Sequence, residues 1–273
     1  MEKVTGPAGI ECYRITDPSG AEATFALHGG HLISWKTADG IERLFLSDQA
    51  TFGPGSAIRG GVPIIFPQFS DHGPFGRHGF ARKSEWTIAE DGESLSLTAS
   101  PETLEKWPHA FELCLSAELN ESGIAISLSV KNPGDTPIEF HAALHTYLIA
   151  DLESGTTVQG LSGRDFLNEV TGETETDVEP QIVFGKEVDR AYLGTGEESL
   201  IIEENENKIE ISSSHFPDTV IWNPGPDHGI SDLPTEGWKQ FICVEGAFTR
   251  DYKQLPPHAS WQGTQRIKIL SGP

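Results

Sequence analysis

The sequence predicts an all-β fold of sandwich or barrel type, and three observations carry that expectation. Apolar residues recur with a period of two, the spacing of side chains that share one face of a strand. The 29 glycines and 18 prolines interrupt these stretches at roughly the 8–12-residue intervals of strands joined by short turns. Helical signals are brief, confined to Pro101–Lys106 and part of 232–239. A chain of 273 residues fits a single domain, 1–273, because sandwiches and barrels reach this length around one core.

Taken in order, short alternating stretches are expected at 10–16, 21–27, 31–36, 84–90 and 93–99. The clearest pairing follows. Phe111, Leu113, Leu115, Ala117 and Leu119 share a face, the turn Asn120-Glu121-Ser122-Gly123 intervenes, and Ile124, Ile126, Leu128 and Val130 alternate on the way back. That is a hairpin. From Ile138 to Leu148 one continuous strand is expected, with the mostly apolar set Ile138, Phe140, Ala142, Leu144, Thr146 and Leu148 toward the core. His141, His145 and Tyr147 then share the opposite face and would floor a polar cleft. Further strands are expected at 199–203, 207–213, 218–222 and 262–270. Phe241–Gly246 reads as an apolar strand ending in Glu245, which would set a partly desolvated carboxylate at a sheet rim. In Gly185–Tyr192, Asp189 could bond sugar hydroxyls or an arginine, or lie in an exposed charged turn. The acidic segments 169–179 and 197–210 read as solvated loops or strand edges without a binding role.

Composition limits the partners. The 41 acids against 19 Lys and Arg give a net charge of −22, which repels nucleic acid and anionic membrane surfaces. Against this background the segment Arg59–Lys83 stands out, with four basic side chains (Arg59, Arg77, Arg82, Lys83) and one acid, Asp71. Arginine forks donate bidentate hydrogen bonds to phosphate or carboxylate, and glycines let the backbone approach a ligand closely. An anion site is expected there. The three cysteines, Cys12, Cys114 and Cys243, are widely spaced with no CxxC pair, which suits a reducing compartment. With no apolar leader at the amino terminus and no apolar run of spanning length, a soluble cytoplasmic protein is expected, acting as a monomer.

Several chemistries fall away. His28 and His31, or His141 and His145, could seat a divalent ion with a carboxylate, but no three-ligand spacing and no H-E-x-x-H pattern occurs. The Gly-x-Ser-x-Gly elbow and the phosphate-binding Gly-x-x-x-x-Gly-Lys-Ser/Thr loop are also absent. No metal and no cofactor is expected.

Five strings carry a resemblance: IRGGVPIIFPQF at 58–69, HGFAR at 78–82, HTYL at 145–148, VDRAY at 188–192 and CVEG at 243–246. Together and in this order they resemble the hexose-6-phosphate mutarotases, the glucose-6-phosphate 1-epimerase branch of the aldose 1-epimerase family, from about residue 20 to the carboxy terminus. The resemblance implies a galactose-mutarotase-like β-supersandwich, two large and mostly antiparallel sheets with the sugar in a cleft on one concave face. It implies His145 as general acid and Glu245 as general base. Asp189 would hold the sugar, Arg59 and Arg82 the phosphate, with His78 of HGFAR also binding substrate. One departure is Arg77, where related proteins usually have glutamine; it would add a phosphate contact or shift the preference among sugars.

The implied reaction exchanges the α and β anomers of a hexose 6-phosphate, glucose 6-phosphate foremost. A base takes the proton of the anomeric hydroxyl, an acid protonates the ring oxygen, C1 turns and the ring recloses. In the resting complex Glu245 is expected to be ionised and His145 charged, with Asp189 or another carboxylate supporting that charge. Three alternatives stay open: an epimerase for unphosphorylated aldoses, a non-catalytic sugar-phosphate binding module, and a metal-dependent sugar isomerase.

Overall fold

A computed structural model describes residues 1–205 and 207–270. The hairpin read from alternation forms as expected. Glu112–Asn120 pairs with Gly123–Lys131, Asn120 facing Gly123 across the turn, and Leu113, Leu115, Ile126 and Leu128 are fully buried. Each such side chain contributes about 1.5–3 kcal/mol by leaving water. The hairpin lies in a nine-stranded sheet that begins at Gln181–Val183 and ends at Thr87–Ile88. The short helix Pro101–Lys106 also forms, opened by a capping box between Ser100 and Thr103.

Facing it is a seven-stranded sheet. Across it the order is Glu173–Thr176, Asp165–Asn168, Val188–Tyr192, Asp218–Asn223, Phe241–Ala247, Ala143–Ile149 and Ile64–Ile65, each pair antiparallel. Alternation gives this sheet two different faces. Leu144, Leu148, Ile221, Ile242 and Val244 join the main apolar cluster with residues of the nine-stranded sheet. The other face carries two smaller apolar clusters, one around Ile65, Ala143 and Ala247 and one around Phe45, Tyr147 and Phe241. His145 and Glu245 fall between them in the strand sequences. A four-stranded sheet of residues 2–36 and a two-stranded sheet complete the architecture.

Three expectations are corrected. The strand drawn from Ile138 to Leu148 is two strands: Ile138–Phe140 pairs with Lys253–Leu255 and Ala143–Ile149 lies in the seven-stranded sheet. The break sits at His141, whose amide donates to the Pro67 carbonyl and whose Nδ1 accepts from the Phe69 amide. Those bonds to the 66–69 segment replace ladder bonds, and they hold His141 away from His145's cleft. Glu245 lies not at a sheet rim but inside a strand flanked on both sides. Val188–Tyr192 is a strand, not a charged turn, with Asp189 opposite Trp222.

Candidate active site

The polar face of the seven-stranded sheet holds a cavity of about 360 Å³ lined by residues from each suspected segment, among them Arg59, Arg82, His145, Asp189 and Glu245. Larger depressions exist, such as one of about 710 Å³ lined by Glu42, Ile149 and Lys239. The smaller cavity is chemically distinct. Of the nine buried side-chain polar atoms without a hydrogen-bond partner among the described residues, five belong to its lining: Arg82 Nε, His145 Nδ1, Glu169 Oε1, His228 Nε2 and Glu245 Oε2. Buried polar atoms are nearly always satisfied, so such a concentration marks where a polar ligand or water completes the bonding.

His145 and Glu245 are direct cross-strand partners. The His145 amide donates to the Pro63 carbonyl on the other side, 3.1 Å away. The His145–Glu245 pair is therefore of the non-hydrogen-bonded kind, in which side chains stand closest. His145 Nδ1 lies 3.3 Å from Glu245 Oε1, and among the described residues neither Nδ1 nor Glu245 Oε2 makes a hydrogen bond. The imidazole is fixed by packing. It stacks on Tyr147 with ring centroids 4.9 Å apart and meets the edges of His78 and Trp222. Tyr147 stacks there because residues two apart on a strand share a face.

Electrostatics push the pair away from separated charges. Burial holds the His145 pKa well below its ordinary value, and Arg82 and Arg59 add to the effect. Burial and the nearby Asp189 raise Glu245 well above the carboxylate range. Without ligand both shifts favour the neutral forms, imidazole and carboxylic acid. Neutral imidazole with protonated carboxyl carries the same number of protons as imidazolium with carboxylate. With one proton on the pair, the acid–base arrangement is a transfer across the gap.

The basic wall is less uniform than the sequence suggested. Arg59 donates through Nε to Asp232 Oδ1 and through Nη1 to the Tyr147 hydroxyl, both at 3.0 Å. Arg77 pairs at 3.0 Å with Asp71 near the surface. Arg82 spends one N–H on the Arg77 carbonyl, leaves Nε unpaired and, among the described residues, has no carboxylate partner. Its pKa is lowered to about 10 by burial and by Arg59 and Arg77, so it remains a cation in search of an anion. Gly60 and Gly61 allow this wall to form. A Cβ on Gly60 would overlap the Phe45 carbonyl and one on Gly61 the Leu32 carbonyl, and both have positive φ. His78 takes up left-handed backbone, φ 61°, and its Nδ1 accepts from the Ser70 amide. That leaves the N–H of the neutral ring on Nε2.

The opposite wall is acidic. Burial, then Glu169 and Glu187, raise Asp189 to about 7. Glu169 follows the strand Asp165–Asn168, its amide donating to the Asp189 carbonyl at 2.9 Å. His228 comes from the loop after Asp218–Asn223. Both line the cavity and neither was read from the sequence; Glu169 even falls in an acidic segment to which no binding role was given. The H-x-x-H pair does not form a centre. His28 Nε2 faces the Ser56 carbonyl and His31 Nε2 the Gly60 carbonyl. Among the described residues no cluster of His, Cys, Asp and Glu is arranged to hold a metal ion.

The model of the aldose 1-epimerase family matches residues 11–268. The chain belongs to the aldose 1-epimerase family. Relatives agree over nearly its whole length. It is 35% identical over 268 residues to an Escherichia coli protein named "Putative glucose-6-phosphate 1-epimerase", covering 93% of this chain and 89% of that one. It is 34% identical over 291 residues to a protein of the same name from Cenchrus ciliaris, covering 100% and 88%. A crystal structure of a mutarotase-titled protein from Salmonella typhimurium superposes with TM-score 0.84 at 29% identity, covering 96% of this chain and 91% of that one. The galactose-mutarotase-like arrangement of two large sheets is the family fold, and the five strings read from the sequence gather at this one cleft.

Proposed function

We propose that this protein exchanges the α and β anomers of a hexose 6-phosphate, glucose 6-phosphate foremost, by acid–base ring opening and reclosure without a cofactor. The observation that carries the reading is His145 facing Glu245 across 3.3 Å in a cavity whose one unpaired cation is Arg82, among the described residues. Glu245 as carboxylate takes the proton of the anomeric hydroxyl, and His145 delivers one to the ring oxygen. The C1–O5 bond breaks as the C1 carbonyl forms. After C1 turns, the aldehyde is attacked by the same oxygen on its other face and both transfers reverse. Each group supplies typically about 10²–10⁴ in rate. Arg82, with Arg59 and Arg77, would hold the phosphate and so fix C1 between acid and base. Asp189 and His78 would hold the sugar ring.

A second reading, epimerisation of unphosphorylated aldoses, is favoured by one observation: Arg59 and Arg77 already have carboxylate partners in Asp232 and Asp71. NMR saturation exchange between anomers at equilibrium, with EDTA present, separates the two. Acceleration for glucose 6-phosphate and not for glucose supports the phosphate reading. Equal acceleration for both transfers the conclusion to the second. No acceleration for any hexose or hexose phosphate refutes both.

The names of the relatives support the substrate class, and the charge of −22 speaks against nucleic acid or an anionic membrane as partner. Among the described residues no helix is long and apolar enough to cross a membrane. Action as a monomeric, single-domain cytoplasmic enzyme is part of the same proposal.

A further inference from the structure

The two unpaired atoms on the acidic side of the cleft have complementary chemistry. Among the described residues Glu169 Oε1 is buried and accepts no hydrogen bond; the other oxygen, Oε2, is 3.7 Å from His72 Nε2, too far for a hydrogen bond. His228 accepts the Ile230 amide on Nδ1 at 3.0 Å. With Nδ1 accepting, the ring's N–H lies on Nε2, which is buried without an acceptor among the described residues. One wall thus presents a free acceptor and a free donor. A phosphate could use only the donor and an alkyl surface neither, whereas a hydroxyl group both donates and accepts.

We propose that Glu169 and His228 read ring hydroxyls of the hexose and set which sugar the cleft accepts, a statement that rests on the sugar-phosphate reading above. The two residues reach the cleft from different parts of the fold. Glu169 is anchored by its backbone bond to Asp189, at the end of a sheet strand. His228 is held by a turn of its own loop. A site that hydrogen-bonds a hydroxyl rejects the analogue lacking it, because buried partners are then left bare. Among the described residues no hydrogen bond or ion pair joins either one to His145 or Glu245, so both act on recognition and not on the proton transfers.

The test pairs protein variants with substrate analogues. Anomer exchange and calorimetric binding are measured for glucose 6-phosphate and its 2-, 3- and 4-deoxy analogues, using the unaltered protein, Glu169→Gln, His228→Ala and His228→Gln. The expected result is a loss of about 10- to 100-fold in kcat/KM for glucose 6-phosphate in Glu169→Gln and His228→Ala. For the deoxy analogue that lacks the contacted hydroxyl, the same substitution then adds little further loss. His228→Gln, which keeps an N–H donor, recovers part of the binding, and melting temperatures near that of the unaltered protein show that the fold persists. Equal losses against every analogue, or none, overturn the proposal. So does binding of glucose 6-phosphate no tighter than that of inorganic phosphate. If the unaltered protein binds sugar phosphate in this hydroxyl-dependent way yet exchanges no anomers, the enzymatic reading falls and the recognition proposal stands.

Discussion

The two walls of the cleft are built in opposite ways. The basic wall comes from one stretch of chain: Arg59, Arg77 and Arg82 lie within 25 residues around the short strand Ile64–Ile65, Arg59 and Arg77 on loops and Arg82 in the short helix Ala81–Lys83. The acidic wall is assembled from separated segments, with Glu169 after one strand, Asp189 within another and His228 on a later loop. The basic wall is also largely self-satisfied, through Asp232, Tyr147 and Asp71. On the acidic side burial and mutual repulsion leave Asp189 short of full ionisation near neutral pH. The difference separates two tasks. A phosphate is a strong, nearly isotropic charge that a contiguous loop can meet, whereas a sugar ring offers directional hydroxyls that need donors and acceptors on several rigid elements.

The sharpest way to break this picture is at the floor both walls share. His145→Ala and Glu245→Gln are each expected to lower kcat by at least about 10²-fold with the fold intact, measured by anomer exchange; near-normal turnover in either would remove the pair from the chemistry. The pH profile of the unaltered protein should be a bell, since the working pair holds one proton. Its acid limb should fall below the ordinary histidine value of 6.5, because His145 is depressed. The alkaline limb should lie well above the carboxylate value of 4.5, because Glu245 is raised.

Next in size is the basic wall. Arg82→Ala should raise KM for glucose 6-phosphate about 10- to 100-fold while leaving any turnover of glucose unchanged. Equal effects on both sugars would show that the phosphate sits elsewhere. On the acidic wall Asp189 should also answer through stability. The folded protein holds the Asp189 proton up to about 7, while the unfolded chain releases it near 3.8. Ionising Asp189 therefore costs stability progressively as pH rises across that interval. Asp189→Asn should raise Tm at pH 8, by about 2–4 °C for each kcal/mol relieved, with the gain shrinking toward pH 4. A gain independent of pH would assign it to packing. The smallest effect belongs to Arg77→Gln, below about fivefold in KM, because its exposed pair with Asp71 is already screened by water.

Much of this was legible in the chain, and unevenly so. Period two gave the hairpin at 112–131 and most of the longer strands, since both depend on local alternation. The basic wall stood out because four cations in an acidic protein are conspicuous. His145, Glu245 and Asp189 were singled out by strand alternation and position, and the resemblance to family strings gave them roles. Glu169 could not stand out among 41 acids; what distinguishes it is a missing hydrogen bond, a property of the fold. The break at His141 was hidden for a similar reason. Ile138–Leu148 alternates throughout, and only the bonds from His141 to residues 67 and 69 divide it between two sheets. The Arg59–Asp232 bond joins residues 173 positions apart, beyond any local pattern.

The cross-strand register of His145 and Glu245 has a mechanical consequence. Two groups facing each other across a central ladder cannot slide or part without breaking the sheet, and each strand is gripped on its far side as well. Yet mutarotation demands that C1 offer first one side and then the other. On the proposed mechanism the part that turns is therefore the open-chain sugar, pivoting on its phosphate end while the walls stand still. A device of that kind has no stroke to complete. Crystals of the protein soaked in substrate should turn it over at nearly the rate seen in solution, lattice and all.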